Sequence, residues 1–105
     1  MNLADVQLGQ AVLWRNAAGR LVCATVVAID SAHDTVVITV ARSRTQRQEF
    51  RIDPATLLSA GDTVMWHGRA ARITAVLLTQ NAVDIAIDAD DRARRVAARS
   101  LAPTE

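Results

Sequence analysis

The residues of this chain run through one pattern twice. Gly9-Gln10-Ala11-Val12-Leu13-Trp14 opens the first pass, and Gly61-Asp62-Thr63-Val64-Met65-Trp66 opens the second. Gly19-Arg20 is echoed by Gly68-Arg69, Thr25 and Val27 by Thr74 and Val76, and Val36 and Ile38 by Val83 and Ile85. Arg51 and Leu57 are matched by Arg95 and Leu101. The offset between matched residues falls from 52 to 49, 47 and 44, so every length change lies between matched blocks, where turns belong. A repeat of this kind governs the whole fold. It divides the chain into one unit over 1–58 and another over 59–105. A unit of that size buries only about 60% of its chain surface and is marginal alone. The two are therefore expected to pack as one rigid body, and segment 58–61 is too short for a flexible linker.

Strand signals dominate both passes. Val36, Ile38 and Val40 alternate with Thr35, Val37, Thr39 and Ala41, and Val83, Ile85 and Ile87 alternate with Ala82, Asp84, Ala86 and Asp88. Alternation with period two marks a half-buried strand. Leu21 to Ile29 and Ala70 to Leu78 are apolar on both faces, as a long strand bending across a barrel would be. Turns are expected at Asn16–Gly19, His67-Gly68, Ser31–Asp34 and Thr79–Asn81. Asp53-Pro54-Ala55-Thr56-Leu57 predicts one short helical turn, capped by Asp53 with Pro54 at its first position, and Ala98 to Leu101 predicts the same without the proline. The expected fold is all-β: two tandem five-stranded small barrels packed together, each with a short helical turn near its end.

Composition excludes several classes. The apolar runs are far shorter than the roughly 20 residues of a membrane-spanning helix, so no membrane role is expected. The N-terminus lacks the basic stretch and long apolar core of a signal peptide, and the lone Cys23 allows no internal disulfide. Both point to the cytoplasm. The net charge of +1 creates no global field for nucleic acid. All twelve basic residues are arginine. Together with the many Ala, Val and Asp this fits a GC-rich, bacterial-like coding bias, or else a preference for planar contacts to phosphate or carboxylate.

The positions Gly9, Val12, Trp14, Gly19, Thr25, Val26, Ile52 and Leu57, and then Gly61, Val64, Trp66, Gly68, Thr74, Val96 and Leu101, carry a resemblance. The chain resembles, twice over, the small barrels of the Tudor and KOW type with the Src-homology-3-like fold. Members often open Gly-x-x-Val-x-(aromatic or basic), turn on Gly, and close on Val or Ile, a spacer and Leu. An oligonucleotide-binding-fold barrel is the main rival. The resemblance by itself does not deliver a function. With Trp14, Trp66 and Phe50 as its only aromatics, the chain lacks the residues for a methyl-reading cage or a polyproline groove. KOW modules usually contact RNA or protein partners, and that expectation stands.

Arg42, Arg44, Arg47 and Arg51 fall within ten positions, opposed by Glu49 alone. Arg92, Arg94 and Arg95 (with Arg99) occupy the corresponding region of the second pass, beside Asp88, Asp90 and Asp91. These arginines are the candidate contacts to a nucleic-acid backbone or an acidic partner; a solvated hairpin with weak local ion pairs is the alternative. Trp14 and Trp66 recur at one point of each pass and are read first as core or interface, second as stacking residues for a base. Asp88, Asp90 and Asp91 lack the Gly and the terminal Glu of a calcium loop. His33 and His67 lack partners at zinc spacing, and Cys23 sits in an apolar strand as a small core residue. No metal, cofactor or catalytic set is expected. The leading expectation is a non-enzymatic module contacting nucleic-acid backbone through arginine-rich hairpins. The alternative is a protein-interaction or structural adaptor, binding an acidic partner or a donated strand through an exposed strand edge or a Trp-bearing surface.

Overall fold

The computed structural model describes residues 1–43, 45–87 and 90–103, with 90–92 described for the backbone only. Ten strands form two antiparallel sheets. The first holds β1 (Ala11–Arg15), β2 (Leu21–Asp30), β3 (Thr35–Ala41), β4 (Arg47–Ile52) and β5 (Leu57–Leu58), in the order β4-β3-β2-β1-β5. The second holds β6 (Thr63–Trp66), β7 (Arg69–Leu77), β8 (Ala82–Ile87), β9 (Asp90–Ala97) and β10 (Leu101–Ala102), in the matching order β10-β6-β7-β8-β9. A single 3-10 turn precedes each last strand, Pro54–Thr56 in one sheet and Ala98–Ser100 in the other. The Asp53 carboxylate caps the first of these by accepting from the Ala55 amide at 2.9 Å, with Pro54 at its start. The all-β architecture of two five-stranded units follows the expectation.

The repeat extends to backbone detail. Gly9 and Gly61 both take positive φ, and their amides donate to the carbonyls of Val26 and Ile73. Register shifts immediately after these residues, at Val27 in β2 and Thr74 in β7. Glycine carries no Cβ penalty there and can turn the chain sharply into the first strand. Register also corrects the repeat alignment. Val22 lies opposite Trp14 and Arg69 lies opposite Trp66, so β2 and β7 correspond at an offset of 47, not 49. Thr25 thus matches Arg72, and Thr74 matches Val27. A two-residue error leaves every side chain on its predicted face, because the strand period is two.

The expected barrels are not closed. Among the described residues, the ladders end at β4 and β5 and at β9 and β10, and these ends do not pair. The two-residue β5 and β10 spend their length on β1 and β6. Side chains close the gap: Trp14 of β1 meets Phe50 of β4 at 4.7 Å between ring centroids.

Two cores result, and the β1–β2 hairpin is the wall between them. Val12, Ala24 and Val26 join Val6, Val36, Ile38 and Leu57 in the first core. Their neighbours Leu13, Leu21 and Cys23 point the other way, into the second core with Ile73, Ile85 and Ala98. Val12 and Leu13 are adjacent, and both are 0% exposed. The double apolar face of β2 therefore arises from docking of the second sheet and not from barrel curvature. β7 has no such cover: Ala70, Arg72 and Thr74 are exposed. The expectation of two buried faces fails there because the docking is one-sided. By register Met65 and Ala70 stand where the first sheet has Leu13 and Cys23. Leu21 has no strand counterpart, since β6 and β7 are joined by the tight His67-Gly68 turn, with both residues at positive φ.

Fully burying a leucine is worth about 1.5–3 kcal/mol, so Leu13 and Leu21 together tie the sheets with about 3–6 kcal/mol. Leu13→Ala is expected to lower unfolding free energy by about 2–5 kcal/mol and keep one cooperative transition, whereas Met65→Ala at the uncovered equivalent costs about 1 kcal/mol or less. Urea denaturation of both variants checks this; equal losses would show that the sheets do not depend on this contact.

Candidate functional site

The arginine-rich segments of both repeats fall on the edge strands β4 and β9 and the hairpins that lead to them. Charged residues on an edge keep its open backbone groups from pairing with another chain. In β4, Gln48, Phe50 and Ile52 alternate with Arg47, Glu49 and Arg51. Phe50 and Ile52 pack on the first core, which puts the charged set on the outer face.

The four arginines of the first repeat separate into different environments. Strand β3 ends at Ala41, so Arg42 lies in the turn, where its amide donates to the Gln46 carbonyl at 2.9 Å. Arg47 opens β4 opposite Ala41. Both side chains are exposed, and neither makes an ion pair with a described carboxylate. Arg51 is engaged: its Nη1 donates to Asp30 Oδ2 and to Thr35 Oγ1, each at 3.0 Å. Arg44 lies outside the described residues.

The second cluster is largely committed to its own sheet. Arg95 donates to Asp84 Oδ1 at 3.2 Å. The Arg94 guanidinium stands 5.7 Å from the Trp66 ring centroid, where the first sheet has Phe50 over Trp14. Ile38 faces Phe50 and Ile85 faces Arg94, so the two partners are equivalent by register. A cation–π contact thus replaces an aromatic pair, worth about 0.5–1 kcal/mol at an exposed site. Arg92 belongs to β9, but its side chain and that of Asp90 lie outside the described residues, as does Asp88. Trp14 and Trp66 are half-buried against the first and second cores respectively. His67 packs edge-on to Trp66 at 4.5 Å.

Sequence reasoning missed a cleft that exists only because the sheets dock. It lies between the β3–β4 hairpin and the 3-10 turn Leu78–Gln80. A lobe of about 360 Å³ is lined by Thr25, Thr39, Ser43 and Arg47 from the first repeat and by Leu78 and Thr79 from the second. A smaller lobe of about 220 Å³ shares Ala41, Leu78 and Thr79 with it and is walled by Val22, Cys23 and Val40. Neither lobe is lined by a carboxylate. A separate depression of about 350 Å³ lies beside Trp14, between the 16–17 turn and Asp53. It is lined by both Arg15 and Asp53, so its charges offset.

Two ionisable groups are shifted. Burial pushes the Cys23 thiol up to about 11, which keeps it protonated and unreactive. The Asp30 carboxyl is held below its usual 3.8, mainly by the hydrogen bond from His33, whose Nδ1 is 2.8 Å away, with Arg51 adding to the effect against partial desolvation. Among the described residues no three His, Cys, Asp or Glu side chains gather to hold a metal ion. No helix among the described residues is long and apolar enough to cross a membrane. Comparison with protein-family models finds no match to the chain, and comparison with curated proteins finds none.

Because folding favours the Asp30 carboxylate, its pairs hold above the ordinary value and are lost as pH falls through the lowered one. An NMR titration of Asp30 is expected to give a midpoint below 3.8, moving up towards that value in His33→Ala; an unmoved midpoint would show that His33 is not the cause. Cys23 is expected to resist alkylation at pH 8 in native protein and to react fully in denaturant, and rapid native labelling would contradict its burial.

Proposed function

We propose that this protein is a non-enzymatic binding module, two small barrels of the Tudor and KOW type in tandem, that contacts nucleic-acid backbone through the arginine hairpin of its first repeat. Its site of action is the cytoplasm. The observation that carries this reading is the contrast between the arginine clusters. Arg94 and Arg95 are held by Trp66 and Asp84, and Arg51 by Asp30. Arg42 and Arg47 remain exposed without a described acidic partner, beside a cleft edged with hydroxyls. Guanidinium groups with hydroxyl neighbours suit phosphate oxygens, which accept hydrogen bonds from both. Glu49 shares the outer face with Arg47 and stands opposite Thr39 of the cleft, so its charge opposes an anionic ligand there. The strand-addition alternative is disfavoured by the same charges, which guard the β4 edge.

Two arginines on two phosphates predict a salt slope of about −1.8 on duplex DNA, an affinity loss of about 12-fold between 50 and 200 mM salt. Fluorescence anisotropy of labelled oligonucleotides checks this. Arg42→Ala/Arg47→Ala is expected to abolish most of the slope, and Glu49→Gln to tighten binding about twofold by removing one nearby like charge. No binding at 50 mM salt, where electrostatic attraction is strongest, would reject the reading.

A further inference from the structure

We infer that the cleft between the two sheets seats one nucleotide of a single strand, with its phosphate on Arg47 and Ser43 and its base against Val22, Val40 and Leu78. This rests on the nucleic-acid reading above and adds which form of nucleic acid is bound, and where. The two lobes of the cleft share Ala41, Leu78 and Thr79 and differ in their other side chains. The larger carries Arg47 and the hydroxyls of Thr25, Thr39, Ser43 and Thr79, and Thr25 and Thr39 are register partners that present their side chains on one outer face. The smaller is walled by Val22, Val40, Ala41 and Leu78, ends at the buried Cys23, and carries Thr79 and Asn81 as polar groups. A nucleotide joins an anionic backbone to a flat ring with apolar faces and polar edges, and Thr79 and Asn81 suit those edges.

Leu78 belongs to both lobes, and it is 38% exposed although it is a large aliphatic residue in a turn. Its own sheet does not need it there: the preceding residue Leu77 ends β7, and Asn81 reverses the chain at positive φ. Duplex nucleic acid keeps its bases stacked inside and offers only a convex backbone. It can meet Arg42 and Arg47 but cannot lay a base in the aliphatic lobe. A single strand can turn a base out. Because Leu78 and Thr79 come from the second repeat and the arginine hairpin from the first, both repeats build the site.

The test compares three labelled probes of equal length at 50 mM salt by anisotropy: a single-stranded DNA, the same strand in a duplex, and a fully abasic strand. The single strand is expected to bind about tenfold more tightly than either of the others, the scale of covering one base's apolar faces with aliphatic side chains. Leu78→Ser, neutral and at an exposed position, is expected to remove that advantage and leave duplex affinity within about twofold, because it adds no charge beside Arg47. Equal binding of all three probes, or an advantage that survives Leu78→Ser with native melting retained, would overturn this inference and leave the backbone-binding function standing. Failure of every probe to bind would overturn both.

Discussion

The structure depends on one hairpin with two apolar faces. β1 and β2 give alternate side chains to two different cores, and the short β5 beside β1 adds Leu57 to the first and Leu58 to the second. The contact between the sheets is thus made by interior residues of both. A free energy of about 3–6 kcal/mol from two leucines is a large share of the 5–15 kcal/mol that separates a folded domain from its unfolded chain. A unit of about 50 residues cannot reach that alone. The second sheet borrows Leu13, Leu21 and Cys23 to complete its core, and in doing so hides a face that would otherwise be exposed apolar surface.

The docking is heterologous: the outer face of one copy meets the open core of the other. Such contacts propagate unless something stops them. Here the stop is built from sequence. The second copy replaces Leu13 and Cys23 with Met65 and Ala70, shortens the hairpin so that Leu21 has no equivalent, and exposes Arg72. The same divergence separates the arginines. Phe50 becomes Arg94, so the second cluster gives an arginine to its own tryptophan, while Phe50 leaves the first cluster on the outer face and hairpin. One copy thereby becomes the wall and the other the cover, and the cleft follows from where they meet.

Much of this was legible in one dimension. The alternation in 35–41 and 82–87 reported strands with one buried face, and Asp53-Pro54 announced a capped turn that the Ala55 amide bond bears out. These are local signals, set by strand period and by backbone chemistry within a few residues. Two features misled. Gly19 and Gly68 look equivalent, yet one closes a long connection and the other a two-residue turn, so the alignment slipped by two. Ala70 to Leu78 resembles Leu21 to Ile29 in its apolar run, yet Arg72 marks its outer face for water, and small side chains such as Ala70 and Thr74 tolerate water where leucine does not.

The sequence by itself determined the number of repeats, the strands, their inner faces and the position of the arginines on hairpins, because each depends on neighbours a few residues away. Tertiary structure alone decided which copy covers which, which arginines find partners, and that Arg47 and Thr79 share one cleft although far apart in the chain. Those outcomes depend on the volume and charge of surfaces that meet only after both sheets exist. No periodicity encodes that meeting.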